Sequence, residues 1–464
     1  MQRIHIHLVL VIAIASSCFI SCKKSTPATT ASSLANTPPT AISDDVLKDS
    51  SLYYTRNIYL WNTQIPSTFN ARSYSDPDKI MTAIRQYSIE PGFAQPVDRY
   101  SFAIKQVEWD NISAGLGSVG AATSTDGDFG LTVFFRVQGD LRVSLVEPQS
   151  PAGVAGIKRS WRITKINGST DITTTNSTFI IDNIYNAATV SLTFLKPDGS
   201  TVDINLNRGH YTEKPVYLDT VYSINNKKTG YLVFNSFLGK ADDIYNEFQR
   251  VFSKFAAAAV SDVIVDLRYN GGGYVSVQEK LANYLVSASA NGGVMMTQTY
   301  NAQNSARNLT TKFVKEGSLN LGRIYFIVGK STASASELLI NNLRPYMDVR
   351  LVGNTTYGKP VGFFPIPVGD WYIFPVSFRT TNKNGDGNYF NGLTVNSQIA
   401  DGLDKDWGDQ AETCLANVIK NITTGSFRLP ADQPYIEPAE ITAGNKILDL
   451  PRLKVTVGDV KSLK

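Results

Sequence analysis

Apolar positions along this chain fall into three regimes. From Asp44 to about Phe102 they recur at helical spacing among many aromatics. Leu52, Tyr53, Ile58, Tyr59, Leu60 and Trp61 can share one face, and residues 78–87 read as a short helix, which predicts a small N-terminal helical cap. From about Ile112 to Asn207 the pattern shortens to strands, with 129–135 and 141–146 suited to pairing. From His210 onward strands and helices alternate. Residues 230–234, 263–267, 324–328 and 349–352 are apolar runs of strand length. Residues 241–259 place Ile244, Phe248, Val251, Phe252 and Phe255 on one helical face. Residues 334–346 predict a helix with Leu338, Leu339 and Leu343 inward, and 411–419 predict another, containing Cys414 as a buried apolar residue. Residues 425–464 read as an extended, proline-containing tail to which the pattern assigns no role. There are no internal repeats.

The first forty residues differ from everything after them. Arg3 precedes an apolar run over 8–20, too short to span a bilayer comfortably and suited to the h-region of an export signal. The run ends in Phe19-Ile20-Ser21-Cys22, which resembles a bacterial lipobox, although Phe19 is bulkier than the usual aliphatic residue. Cys22 would then be acylated and become the new N-terminus. Of three cysteines only Cys22 and Cys414 would remain, and an exported chain without a disulfide framework leaves Cys22 free for that role. Residues 23–42, rich in Ser, Thr, Ala and Pro, read as a disordered tether with a reach of roughly 25 Å. Lys23-Lys24-Ser25 lacks the acidic residues of a surface-export signal, so the expected address is the periplasmic face of an outer membrane. The net charge of +4 and the absence of a basic block exclude nucleic acid as an expected partner.

Candidate chemistry concentrates in two segments. Gly329 to Glu337 reads G-K-S-T-A-S-A-S-E and puts Ser334 at the start of a helix, where unpaired amides and the positive end of the helix dipole suit a developing oxyanion. Asp266 to Gly273 (D-L-R-Y-N-G-G-G) follows a buried strand, and its glycines allow close backbone approach. Histidine is nearly absent: His5 and His7 lie in the expected signal and His210 in a connection. A nucleophilic serine therefore needs another base, and Lys359 is the candidate. A free lysine titrates near about 10.4 and is almost wholly protonated at neutral pH. Burial disfavours the charged form and would make Lys359 a competent base. Asn382-Lys383-Asn384-Gly385-Asp386-Gly387 mimics a calcium loop, but Leu393 stands where the bidentate Glu belongs, so it reads as a turn and no metal is expected. The Gly-rich segments lack the Walker pattern, and no cofactor is expected.

Four blocks, in order, resemble the C-terminal processing, or tail-specific, proteases, serine peptidases with a Ser–Lys dyad. Asp98-Arg99-Tyr100-Ser101 is similar to "DpyS". Ser150-Pro151-Ala152 to Gly156-Ile157, with Ile163 to Gly168, resembles a PDZ domain, although Lys158-Arg159-Ser160-Trp161 replaces the usual Gly-Asp turn. Asp266 to Gly273 is similar to "DLRxNxGG", and Thr332 to Glu337 with Gly358-Lys359 to "SASASE…GK". The family spacing of 25 between nucleophile and base is kept (359 − 334 = 25), which selects Ser334 over Ser331 and Ser336. The resemblance implies an α/β fold: a crotonase/ClpP-like catalytic core with an inserted PDZ-like domain and a small N-terminal helical cap. The boundaries it suggests are signal 1–21, tether 22–43, cap 44–111, PDZ-like domain 112–208, catalytic domain 209–424 and tail 425–464. It further implies Ser334 as nucleophile, Lys359 as general base, the amides of Gly272 and Ala335 as oxyanion hole, and Glu337 as a supporting residue. Phe129, Gly130 and Leu131 would be the peptide-binding loop, with unfolded or tail-exposing proteins as substrates. Two departures stand out. Phe363 occupies the place of the lysine-orienting glutamine of "GKGxxQ", and Gly392 to Asn396 (G-L-T-V-N) stands for "GIxPD". The first leaves open a catalytically impaired peptide-binding scaffold of the same fold. An esterase or amidase acting on small molecules is a third reading, disfavoured by the PDZ-like block. Oligomeric state is not legible.

Overall fold

The computed structural model describes residues 42–116, 127–427, 438–449 and 454–458. The expected signal, Cys22 and nearly all of the tether lie outside the described residues. Among the described residues, no helix is long and apolar enough to cross a membrane.

The chain is a mixed α/β protein whose central element is a six-stranded sheet. Its order is Ser397–Gln398, Asp348–Gly353, Arg323–Val328, Asp262–Asp266, Lys227–Phe234 and Val216–Ile224, parallel throughout except for the last pair. The apolar runs arise because both faces are covered. Leu232, Phe234, Val263, Val265, Ile324 and Phe326 face the helices Ala241–Ala257, Val275–Leu285 and Ala335–Leu343. The alternate residues Tyr231, Val233, Ile264, Tyr325 and Ile327 face the helix Thr413–Thr424, where Cys414 is buried as expected. The helix that begins after Ser334 stops at Leu343, three residues short of expectation, because Arg344 already serves as its C-cap.

The N-terminal segment is less helical and less separate than its periodicity suggests. Helices Asp44–Ile58 and Pro77–Ile84 are present, but Tyr53 points to solvent and Trp61 lies beyond the first helix. Strand Phe102–Lys105 pairs with Trp371–Phe374, so this segment shares one aromatic-rich core with residues 361–376. Residues 131–207 form an antiparallel five-stranded meander, Leu131–Val137, Asp140–Val146, Arg162–Ile166, Thr189–Leu195 and Thr201–Asn207, with Leu131–Val137 at one edge. Its core is separate and includes Val133, Val143, Ile163 and Phe194.

The last segment departs most from its sequence pattern. Residues 439–448 are a helix, with Pro438 at its N-cap position, and Val455–Val457 is a strand. Ile441 and Leu448, seven positions apart, are buried against the five-stranded unit. Pro438 cannot continue a helix backwards but is compatible with starting one. The surrounding prolines therefore masked a helix rather than excluding it.

The five-stranded unit is joined to the core by a buried ionic network. Arg159 donates to the Ser144 carbonyl at 2.7 Å, to the Tyr269 hydroxyl at 3.0 Å and to Asp401. Arg268 binds Asp266 at 2.7 Å, Asp401 at 3.0 Å and both oxygens of Glu412 at 2.8 and 3.0 Å. Both guanidiniums lie against the Trp407 ring. Burial alone would raise the pKa of Asp401 and Glu412, but the two guanidiniums override it and hold both below the ordinary carboxylate range. Groups so depressed add stability above their unfolded values, and that stability is lost as pH falls through the folded ones. Arg268→Met should lower stability by about 3–5 kcal/mol at neutral pH, by leaving buried carboxylates unpaired. It should also flatten the acid limb of the stability curve; urea unfolding across pH 3 to 7 measures both.

Candidate active site

Ser334 sits at the junction of a loop and the wholly buried helix Ala335–Leu343, with φ of 65° and ψ of −116°. A positive φ is rare for a residue with a side chain and costs on the order of 1–3 kcal/mol unless its surroundings hold it. Here Glu337 holds it. The Glu337 carboxylate accepts from the Ser334 amide at 2.8 Å and, on the same oxygen, from the Lys359 amide at 2.8 Å. Its other oxygen accepts from the Gly358 amide at 2.6 Å and the Thr356 hydroxyl at 2.5 Å. Burial pushes the Glu337 pKa up, while these four donors favour the charged form. One carboxylate thus ties the backbone of the candidate nucleophile to that of the candidate base.

The glycine segment packs against the same elbow. Asn270 accepts the Ala333 amide at 3.1 Å and the Ser336 hydroxyl at 3.1 Å on its carbonyl, and Thr332 donates to the Leu267 carbonyl at 2.7 Å. A Cβ placed on Gly272 would lie 2.9 Å from Cβ of Ser334 and 3.0 Å from the amide nitrogen of Ala335, and φ there is +105°. Only glycine fits this approach. The Gly272 amide donates to Oδ1 of Asn270 at 2.9 Å, so of the two amides expected to bind an oxyanion this one is engaged internally. Ala335 is the first residue of the helix, where an amide has no intrahelical partner.

Lys359 is 1% exposed. Burial is the largest influence on its ammonium and holds its pKa well below the ordinary lysine range; Asp98 and Glu337 pull upward against it, and Arg85 adds to the depression. Its Nζ donates to the Lys454 carbonyl at 2.9 Å and lies 3.8 Å from the centre of the Phe363 ring. Phe363 therefore meets the lysine head group directly, with a ring face where the resemblance expects a glutamine amide. Asp98-Arg99-Tyr100-Ser101 acts one layer out. Arg99 donates to the carbonyls of Tyr357, Gly358 and Phe390 at 3.1, 3.2 and 2.9 Å, and the Tyr100 hydroxyl also donates to Gly358. Asp98 fixes that block by accepting from Tyr59, Ser101 and the amide of Tyr100. In place of the "GIxPD" block, the Leu393 amide donates to Thr356 Oγ1 at 2.7 Å and thereby reaches Glu337 through one hydroxyl.

Ser331 and Ser336 are committed elsewhere, to Asp449 at 2.9 Å and Asn270 at 3.1 Å. Phe129 and Leu131 are buried in the five-stranded unit, and the Gly130 amide donates to Asp128 at 2.7 Å. His210 is exposed. Sequence reasoning missed Thr356, Asn270 and Lys454. Asn270 sits inside a block quoted for its glycines, Thr356 lies two positions before the quoted Gly358-Lys359, and nothing in the pattern around Lys454 links it to residue 359.

Residues 228–399 match the peptidase family S41. The carboxyl-terminal-processing protease of Picosynechococcus sp. is 28% identical over 53% of this chain and 58% of its own length. The carboxy-terminal processing protease CtpB of Bacillus subtilis is 25% identical over 50% and 47%. The chain thus spans about half the length of these curated relatives. A crystal structure of a putative S41 protease from Bacteroides fragilis shares the fold, with a TM-score of 0.64 at 22% identity over 81% of this chain and 97% of that one. The matched residues 228–399 contain both Ser334 and Lys359, and the chain is similar to carboxyl-terminal processing proteases over about half its length.

Proposed function

We propose that this chain is a serine endopeptidase that cleaves unstructured tails of exported proteins through a Ser334–Lys359 dyad. The observation that carries the reading is the pairing of a strained serine elbow with a buried lysine on one carboxylate, Glu337. Neutral Lys359 takes the hydroxyl proton of Ser334 as Oγ attacks the scissile carbonyl carbon. The resulting ammonium returns that proton to the leaving amine as the C–N bond breaks. Water, deprotonated by the same amine, then releases the acyl group from Ser334. The Ala335 amide stabilises the oxyanion, joined by Gly272 once its hydrogen bond to Asn270 is shared or exchanged. Glu337 acts as a positioning residue. The five-stranded unit holds the tail by strand addition, through the loop Phe129, Gly130 and Leu131. Acylation at Cys22 anchors the body to the inner face of an outer membrane, an address supported by the export-signal pattern.

Ser334→Ala and Lys359→Ala should each reduce cleavage of an unfolded, apolar-tailed protein by at least about a thousandfold. Circular dichroism checks that both remain folded. Cleavage at wild-type rate by either variant overturns the dyad. If wild type binds the tail without cutting it, the scaffold reading replaces the peptidase one, and the Phe363 substitution is its motivation.

A second expectation concerns pH. Between the depressed folded pKa of Lys359 and the ordinary value near about 10.4, the unfolded chain binds one proton more than the folded one, so this residue makes stability rise with pH. Lys359→Met should therefore stabilise the protein at neutral pH, with a gain that shrinks towards pH 10. Thermal unfolding from pH 6 to 10 measures it, and a pH-independent difference contradicts the burial argument.

A further inference from the structure

Residues 438–449 and 454–458 touch both places where an extended substrate would have to bind. Strand Val455–Val457 runs parallel to Gly272–Tyr274, in the register Gly272 with Val455 and Tyr274 with Val457. On its other side Val457 bridges Phe363, also in parallel. The Val455 amide donates to the Gly271 carbonyl at 3.0 Å and the Gly458 amide to the Phe363 carbonyl at 2.9 Å. The strand therefore spans the gap between the glycine segment and the lysine segment. Val455 and Val457 are 1% and 2% exposed, and the preceding carbonyl, that of Lys454, accepts from Lys359 Nζ at 2.9 Å.

The helix Ala439–Leu448 covers the second place. Leu131–Val137 is the edge strand of the five-stranded sheet; on it the Val133 amide donates to the Tyr185 hydroxyl at 3.2 Å, and the Phe135 amide and carbonyl are met from outside the sheet. Asn445 meets Phe135 as a neighbouring strand would: its Oδ1 accepts from the Phe135 amide at 2.7 Å and its Nδ2 donates to the Phe135 carbonyl at 2.9 Å. Ile441 and Leu448 complete the apolar contact, and a Cβ on Gly444 would come within 2.9 Å of Thr174. Asp449 links helix to strand and both to the catalytic loop, accepting from Ser331 Oγ at 2.9 Å and from Lys454 Nζ at 2.7 Å. Thr442, Asn445, Asp449, Lys454 and Val455 line one cavity of about 920 Å³ together with Tyr269 of the core.

We propose that the helix Ala439–Leu448 and the strand Val455–Val457 together act as an internal pseudosubstrate, the helix seated on the edge of the five-stranded unit and the strand lying in the catalytic cleft. The proposal rests on the peptidase reading above and names the ligand class of that site: an extended peptide with β-branched aliphatic residues at alternate positions, docked in parallel to Gly272–Tyr274. Main-chain pairing carries no sequence information, so a substrate strand forms the same bonds that Val455–Val457 forms. Discrimination falls to the two buried pockets. A tethered occupant acts at a local concentration of roughly millimolar, so a free substrate competes only when it too engages both places.

The test uses the full chain with Val455→Asp and Val457→Asp together, and a labelled synthetic peptide of residues 438–458. In a Ser334→Ala background the peptide should bind the double variant at least about tenfold more tightly than the chain with its own valines, because the competing strand is undocked. With Ser334 intact the double variant should cleave an unfolded protein correspondingly faster. Equal peptide affinity for both chains, or an unchanged or lower rate in a folded double variant that cuts, overturns the proposal. Tighter peptide binding without cleavage by any form sustains the pseudosubstrate and sinks the peptidase reading instead. Should the double variant not fold, amide hydrogen exchange on the unmodified chain decides. A saturating aliphatic peptide should accelerate exchange at Val455 and Gly458, and continued protection of both with that peptide bound overturns the proposal.

Discussion

The geometry of the site depends on one buried carboxylate. Glu337 lies in the first turn of its helix, where the dipole favours negative charge, and it is saturated by four donors from two separate chain segments. Those donors include the amide of a serine held at positive φ and the amide of a lysine that follows a glycine at φ of +90°. The serine conformation is one that a residue with a side chain would not choose alone, whereas the glycine reaches its own at little cost. Removing the carboxylate would release the strained serine peptide and leave the buried amides of Ser334, Gly358 and Lys359 without this acceptor, and burying such groups unpaired costs about 1–3 kcal/mol apiece. Strain at the elbow and order in the lysine loop are therefore one energetic unit.

The same saturation explains how a lysine can stay buried so close to two acids. Asp98 and Glu337 both raise its proton affinity, yet each spends its lone pairs on amides and hydroxyls rather than on Nζ. The amine is left with a peptide carbonyl and an aromatic face. A ring face attracts the charged form only weakly compared with a carboxylate in contact, so desolvation decides the direction. A glutamine at position 363 could orient the amine through a hydrogen bond; the phenyl ring orients it by contact and keeps water from its far side.

Much of this was legible from residue order. The parallel strands were readable because a strand buried on both faces is apolar throughout, as in Val263 to Val265 and Ile324 to Val328. Ser334 and Lys359 were readable because a short segment at fixed spacing carries them. Glu337 was visible only as a supporting residue, and its reach to Thr356 and Gly358 depends on a loop about twenty positions on. Arg159 read as an oddity in a turn, since the partners that explain it, Tyr269 and Asp401, lie more than a hundred residues away. The helix Ala439–Leu448 was hidden for the same reason. Its few apolar residues gain nothing until the edge of a distant sheet is in place.

The buried network around Arg159 bears on how the cleft could open. Two guanidiniums with the buried carboxylates of Asp266 and Glu412 and the partly exposed Asp401 join the five-stranded unit to the core, and separating those units would break the Arg159–Asp401 pair and leave the buried Arg159 guanidinium without it. The helix Ala439–Leu448 and the strand Val455–Val457 are held to the junction differently. Their contacts include main-chain pairs, the Asn445 amide, the buried side chains of Ile441, Leu448, Val455 and Val457, the Asp449 link to Ser331 and the Lys454 carbonyl, groups that a bound peptide or water can replace. The Asp449–Lys454 ion pair lies within this part of the chain and would leave with it, while Lys359 would lose its carbonyl acceptor. Access is thus physically easier by releasing the strand and helix than by swinging the five-stranded unit away, and Arg159, the departure from the PDZ-like pattern, is what makes that difference.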